Sequence, residues 1–339
     1  MRIKRRLPVL LGVVLVAAAV AVVVVLRKHA PPEPARLLPG ADGFVYVNLK
    51  WIRRVNLIGQ LPPVPHDPEY QQFIEQTGFQ WESDLDQAAL AIHYPSSLPA
   101  PAPGASPETR YSEVLVGRIQ GDRLRNYLQK LSKSVESYHA HDIYSIPLEG
   151  RTLRVVVLGP DTVAASNHPD PQVIQGIVDR SRKLASPFGG PALLRQYYKH
   201  VPLASLAWTI FRVEQPSTTA PPGPFGLSFL FSQPSVVVLS GRYLGKVHLR
   251  AEAYTPSADE AQHVTRQLGT FLDLLHGAES SVTPHGGDPD VKAFFASLKV
   301  EQADDRAVLT AIMPPGFLHK VMAGPPTPAA PPAAATPSK

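Results

Sequence analysis

Residues 247–275 read VHLRAEAYTPSADEAQHVTRQLGTFLDLL and hold the clearest strand and the clearest helix of the chain. Along Val247–Tyr254, apolar or small residues alternate with polar ones, which predicts a strand with one face on a core. From Ser257 onward, apolar residues recur at steps of three and four, which predicts an amphipathic helix. The pattern Ser257-x-x-Glu260 is typical of a capping box at the start of such a helix.

The same order of a strand and then a helix is predicted at residues 113–119 and from Asp122 onward. Further strands are predicted at 43–49, 88–94, 153–158, 162–165, 206–213, 236–239, 299–302 and 307–313, and further helices at 69–77, 171–182, 191–200, 289–298 and 315–322. Antiparallel strands interrupted by single helices indicate an α+β fold, a mainly antiparallel sheet with helices packed on one face. The two strand–helix units leave open a division into two similar halves.

A single membrane span is predicted at residues 7–26, which read LPVLLGVVLVAAAVAVVVVL and carry no charge. About 20 helical residues cross roughly 30 Å of hydrocarbon. Basic residues are denser before this run than after it, so we expect residues 1–6 in the cytoplasm and the bulk of the chain beyond the inner membrane, in the periplasmic or extracytoplasmic space. The run is longer than a signal-peptide core, which favours an uncleaved anchor. A cleaved signal peptide and a buried soluble helix stay open as alternatives.

Composition divides the rest of the chain. Residues 27–38 are rich in proline and are predicted to form a stiff spacer. Residues 324–339 contain mostly Pro, Ala, Thr and Ser and are predicted to form a disordered tail. The ectodomain between them is divided into a first half, 39–187, and a second half, 188–323. Two Pro-rich stretches, 95–107 and 215–224, are predicted to be surface loops.

The distribution of charge argues against nucleic acid as a partner. The chain carries a formal net charge of +5, but six of its 33 basic residues flank the predicted span. The remaining 27 basic residues face 28 acidic ones, so the ectodomain is close to neutral. A phosphate backbone requires clustered Lys and Arg. The chain has no cysteine, which excludes thiol catalysis, disulfides, iron–sulfur ligation and a lipid-modified cysteine anchor.

His139 and His141 are the best metal-ligand candidates, because two residues that are two positions apart on a strand share a face. No third ligand stands at a fixed spacing, so a polar strand face is the simpler interpretation. His285, with Asp288 and Asp290, could hold a cation or supply a base in its Gly-rich loop. One of these two aspartates is more simply the cap of the following helix.

Other motifs are weaker. Asp304 and Asp305 are typical of a hairpin turn. Residues 241–247 are similar to a phosphate-binding loop, but the glycine spacing is one residue short and Val247 replaces the required hydroxyl. We therefore predict a hairpin loop there and no cofactor. Aromatic residues that could line a pocket or an interface are Trp51, Trp81, Tyr197, Tyr198 and Trp208. No residue is assigned a catalytic role.

Residues 35–48, 247–275 and 291–313 resemble a group of uncharacterised bacterial envelope proteins. In that group a signal anchor precedes a segment with proline, a small residue and aspartate before the first strand, and a late strand–helix unit precedes a terminal hairpin. The resemblance implies membrane anchoring and an α+β ectodomain. It supplies no active-site residues.

The function expected from these features is non-enzymatic binding or scaffolding in the cell envelope. The partner would be another protein, a cell-wall component or a second copy of the chain, and the oligomeric state is not indicated. One alternative is a carrier or sensor of an apolar ligand held between the sheet and the helix that follows Ser257. Another alternative is a hydrolase whose site is assembled from distant residues, including His139, His141 or His285.

Overall fold

A computed structural model of the protein describes residues 30–55, 66–99, 108–148, 150–182, 189–214, 226–282 and 288–318. The predicted span at 7–26 and the predicted tail at 324–339 lie outside these ranges. Among the helices within them, none combines the length and the apolar character that a membrane crossing requires.

Strands and helices alternate along the described ranges. The strands are β1 (Gly43–Asn48), β2 (Leu85–His93), β3 (Arg110–Gly117), β4 (Ser134–Tyr138), β5 (His141–Leu148), β6 (Arg151–Val157), β7 (Thr162–Ser166), β8 (Ser205–Val213), β9 (Ser235–Tyr243), β10 (Val247–Tyr254), β11 (Lys299–Ala303) and β12 (Arg306–Met313). The α-helices are α1 (Glu33–Leu37), α2 (Leu49–Arg54), α3 (Pro68–Thr77), α4 (Trp81–Asp84), α5 (Gly121–Leu131), α6 (Gln172–Arg182), α7 (Ala192–Tyr197), α8 (Ala258–Val282) and α9 (Pro289–Ser297). Short 3-10 helices occupy Pro95–Ser97, Tyr198–His200 and Ser228–Leu230.

Within the described ranges, the strands form one 12-stranded sheet in the order β11-β12-β10-β9-β8-β1-β2-β3-β7-β6-β5-β4. Every neighbouring pair is antiparallel. The α+β class with a large antiparallel sheet is therefore confirmed. On each side of the β1–β8 pair, three consecutive strands are followed by a helix, and a later strand returns beside the third strand.

Helices cover both faces of the sheet, so the prediction that they pack on one face is wrong. Ile210 and Val156 belong to a large apolar cluster on the first face, with residues of α1, α6 and α7. Their neighbours in sequence, Phe211 and Val155, point to the opposite face and belong to two further clusters, with Val264 of α8 and with α5 respectively. Both faces are apolar in the central strands, so each needs a cover.

The end of the predicted spacer is part of the folded domain. Residues 33–37 form α1, and Ala35, Leu37 and Leu38 are buried in the cluster on the first face. The prolines of this stretch suggested an extended linker, but Pro34 occupies the first turn of a helix, where a missing N–H costs nothing. The apolar side chains that follow Pro34 then pack α1 against the first face of the sheet.

The start of α8 differs from the predicted capping box. The hydroxyl of Ser257 accepts a hydrogen bond from the backbone N–H of Glu260 at 3.2 Å, as predicted. The Glu260 carboxylate instead accepts from the backbone N–H groups of Ser232 at 2.8 Å and Gln233 at 3.2 Å. Because the loop before β9 offers these donors, Glu260 ties that loop to the helix.

Candidate binding cleft

A cleft of about 780 Å³ opens on the first face of the sheet, where β8 and β10 end and β9 begins. The end of α7 and the 3-10 helix Tyr198–His200 form one wall, and the turn between β11 and β12 forms another. The cleft is open to solvent on one side. Its volume falls in the range of about 300–1,000 Å³ that small-molecule sites occupy.

Three aromatic rings form the wall of the cleft. The ring centroid of Tyr254 lies 5.3 Å from that of Tyr197 and 4.6 Å from that of His200. Tyr254 is on the first face because residues of even number on β10 point to that side. All three rings are half-buried, so they offer apolar surface beside polar groups.

The buried Glu252 carboxylate positions the ring of Tyr254. Glu252 is 4% exposed and accepts hydrogen bonds from the Tyr254 hydroxyl, from Arg250 Nε at 2.5 Å and from Arg306 Nη1 at 3.3 Å. The Arg306 guanidinium also lies 5.7 Å from the centre of the Tyr254 ring. All three donors bond to the same carboxylate, so the four side chains form one connected polar network.

The pKa values of this network follow from burial and from its donors. Burial acts to raise the pKa of Glu252, but the hydrogen bonds from Tyr254 and Arg250 and the two positive charges outweigh it and lower the pKa. Burial, with the bond to Glu252, raises the pKa of Tyr254. Near neutral pH the carboxylate is ionised and the phenol is protonated, so this carboxylate serves as an acceptor and not as a proton donor.

The charged groups that line the cleft balance. Lys199 and Arg212 supply two positive charges, and Glu214 and Asp305 supply two negative ones. Burial, and then the charge of Lys199, lower the pKa of His200, so its imidazole is neutral near pH 7. The lining therefore carries no net charge, while it offers both donors and acceptors of hydrogen bonds.

A serine–histidine pair does occur in the protein, away from the cleft. His93 Nε2 lies 3.1 Å from the Ser112 hydroxyl, which lies 2.8 Å from the Ser166 hydroxyl. Ser112 has 0% exposure and Ser166 has 1%, so no substrate reaches either hydroxyl. Burial, and then the neighbouring His168, lower the pKa of His93 to about 4. These residues form a buried polar chain that joins β2, β3 and β7.

The predicted metal candidates do not share a strand face. His139 and Ala140 have φ values of 48° and 64° and form the turn between β4 and β5, while His141 begins β5. His139 Nε2 lies 3.5 Å from Asp179 Oδ1, and His141 Nδ1 lies 3.1 Å from the carbonyl oxygen of Val157. The tight turn separates the two rings. In the described part of the chain, no group of three or more His, Asp or Glu residues could hold a metal ion.

The remaining candidate residues lie in turns and caps or outside the described residues. His285 is outside them. Asp288 is the N-cap of α9 and accepts from the N–H of Asp290 at 2.9 Å, which confirms the capping interpretation. Asp304 and Asp305 form the predicted hairpin turn between β11 and β12. Residues 241–247 lie in the predicted hairpin of β9 and β10.

Of the five aromatic candidates, Tyr197 alone contributes to the cleft. Trp208 is 3% exposed and packs between Tyr46 and Tyr198, in the core. Trp51 and Trp81 are 49% and 40% exposed and lie in the short helices α2 and α4. The pattern of polar residues along β10 indicates a strand, but not that Tyr254 at its end lines a cleft.

Comparisons with known proteins give only distant likenesses. No protein-family model matches the chain, and no curated protein matches it significantly. Crystal form III of TP0453 is similar over 86% of this chain and 98% of its own, with a TM-score of 0.44 and 10% identity. Crystal form IV is similar over 87% and 98%, with a TM-score of 0.42 and 9% identity. Likeness at this level identifies neither a family nor a function.

Proposed function

We propose that the chain is a membrane-anchored protein of the cell envelope that binds a partner or an envelope component in the cleft beside Tyr254 and performs no catalysis. Its ectodomain would consist of two similar halves joined at the β1–β8 pair. The observation that carries the proposal is the construction of the cleft. Glu252, a buried carboxylate next to the lining, accepts hydrogen bonds from Arg250, Arg306 and Tyr254, so it positions the Tyr254 ring rather than reacting with a ligand.

The composition near the N-terminus supports the proposed location. The uncharged run at 7–26, with more basic residues before it than after it, supports a single span and an extracytoplasmic ectodomain. The near-neutral ectodomain supports a protein or envelope partner and not a nucleic acid. The resemblance to anchored envelope proteins points in the same direction.

The two alternative functions receive less support. Ala261 and Val264 on α8 have 0% exposure, and Val264 packs with Phe211 and Ala307, so the beginning of the helix meets a filled core where a carrier would need space. A hydrolase would need a reactive pair that a substrate can reach. Among the described residues, the serine–histidine pair within hydrogen-bond distance is that of Ser112 and His93, which is buried.

Site-specific photocrosslinking in the producing cells tests the proposal. A photoreactive amino acid replaces Lys199, at the edge of the cleft, or Lys130, an exposed lysine on α5 at the other face. We expect a covalent adduct from position 199 and none from position 130. The adduct should disappear when Tyr197→Ala is added, because that change removes part of the aromatic wall. Equal adducts from the two positions, or none from position 199, would contradict the proposal.

A further inference from the structure

The lining of the cleft restricts the chemistry of its ligand. Two cations and two carboxylates surround three aromatic rings, and the imidazole among them is neutral. An anion would meet Glu214 and Asp305, and a cation would meet Lys199 and Arg212, so like charges oppose either ligand. A purely apolar ligand would displace water from these charged groups. It could not replace the hydrogen bonds that the groups make to that water.

A polyhydroxylated neutral ligand satisfies both kinds of group. A sugar hydroxyl donates to a carboxylate and accepts from an ammonium or guanidinium group at the same time. The C–H faces of a pyranose ring are apolar and pack on aromatic rings such as those of Tyr197 and Tyr254. Carboxylates, a guanidinium and aromatic rings in one cleft therefore match the alternating polar and apolar surface of a sugar.

We infer that the cleft is a binding site for a neutral oligosaccharide, with Tyr197 and Tyr254 packing on sugar rings and with Asp305, Glu214 and Arg212 bonded to hydroxyls. This inference rests on the proposed function and names the ligand class for the same cleft. The open side and the volume of about 780 Å³ suit a chain of several sugar rings better than one enclosed ring.

Two pairs of variants separate sugar recognition from general effects on the fold. Asp305→Asn removes a charged acceptor that lines the cleft, and Asp304→Asn makes the same change at the neighbouring exposed residue of the turn. Tyr197→Ala removes an aromatic wall residue, and Tyr111→Ala removes a tyrosine that is 41% exposed on β3, outside the cleft.

Calorimetric titration of the full chain in lipid nanodiscs measures binding. The probes are neutral tetrasaccharides of glucose, mannose, galactose and N-acetylglucosamine, with a sulfated tetrasaccharide and an oligoglutamate peptide for comparison. We expect at least one neutral probe to bind, and a loss of affinity of about tenfold or more in Asp305→Asn and in Tyr197→Ala, because each removes a direct contact. Asp304→Asn and Tyr111→Ala should bind like the unchanged chain.

The outcome also separates this inference from the proposed function. Absence of binding by every neutral probe, or equal affinity in Asp305→Asn and Asp304→Asn, overturns the oligosaccharide. Tighter binding of the oligoglutamate or the sulfated probe overturns it as well. If the photocrosslink from position 199 persists in those cases, the cleft still binds a partner and only the ligand class is wrong. If the crosslink also fails, both proposals fail.

Discussion

Several polar side chains buried in the described part of this protein are paired across strands that lie far apart in the sequence. His93, Ser112 and Ser166 meet on three different strands, and Glu252 and Arg306 meet on two. A buried polar group without a partner costs about 1–3 kcal/mol, so these pairs specify the register of the strands as well as adding stability. At the residue scale, the sheet is held in one arrangement by a few polar contacts.

His93 predicts a dependence of stability on pH. Its pKa is about 4 in the folded protein and 6.5 in the reference state, so the unfolded chain binds the proton more readily. The contribution of neutral His93 to the free energy of unfolding is fully present above pH 6.5. It is lost as the pH falls towards 4, and the loss amounts to up to about 3 kcal/mol. We expect the free energy of unfolding, measured in urea between pH 7 and pH 4, to fall less steeply in His93→Gln than in the unchanged chain.

His168 stays in that variant and its pKa is also lowered, first by burial, so some slope should persist. Gln at position 93 cannot be protonated in this pH range. The difference between the two proteins in the slope of unfolding free energy against pH therefore reports on His93. Identical pH profiles for the two proteins would show that His93 is not held neutral by the fold.

The sequence singles out Tyr197 as an aromatic residue and Asp305 as a turn residue, but it does not indicate that both line one cleft. Tyr254 and Glu252 have the pattern of the polar face of an ordinary strand. What distinguishes them is that Arg306, more than 50 positions later, donates to Glu252 and lies over the Tyr254 ring. Local patterns carry no information on such a contact. His139 and His141 have a spacing that suggests one strand face, but His139 lies in the tight turn before the strand that His141 begins.

At the scale of elements, periodicity located most strands and helices because their apolar faces repeat at 2 or about 3.6 residues. Strand β10 and the hairpin of β11 and β12 lie where the sequence predicts them. The hairpin of β4 and β5 was missed. Strand β4 reads SVESY, is mostly exposed and forms an edge of the sheet, while β5 contains Pro147. An edge strand with two polar faces lacks the alternation that marks a strand.

The helix α8 is held to the sheet at its beginning, and Glu260 supplies part of that attachment. Glu260→Gln replaces a buried carboxylate that accepts from Ser232 and Gln233 by a neutral amide. Asp259→Asn makes the matched change at the exposed neighbour. We expect Glu260→Gln to lower the free energy of unfolding by about 1–3 kcal/mol, because bonds to a charged acceptor weaken, and Asp259→Asn to change it by less than about 0.5 kcal/mol.

Chemical denaturation in urea measures both differences. Burial acts to raise the pKa of Glu260, but the bonds from Ser232 and Gln233 lower it, so the gap between Glu260→Gln and the unchanged chain should narrow at acidic pH, where the carboxylate is protonated. Equal stability of the two variants at pH 7 would show that the loop before β9 is not fastened through Glu260.

At the scale of the whole molecule, one sheet runs through the described domain, from β4 at one edge to β11 at the other. The sequence indicated the α+β class and the strand–helix units, because these depend on local periodicity. It could not indicate that the first and second halves join edge to edge through β1 and β8, with Tyr46 stacked on Trp208 at a centroid distance of 5.5 Å. It also placed the helices on one face, whereas a sheet that is apolar on both sides in its central strands requires cover on both.

We propose that residues 7–26 hold this domain to a membrane with the cleft outside the cytoplasm. Protease treatment of intact spheroplasts from the producing cells, followed by alkaline washing of their membranes, tests it directly. We expect the full chain to remain with the washed membranes, and external protease to degrade the ectodomain while cytoplasmic marker proteins survive. Recovery of the intact chain in the soluble cytosolic fraction, or its protection from protease until the spheroplasts are lysed, would contradict the account.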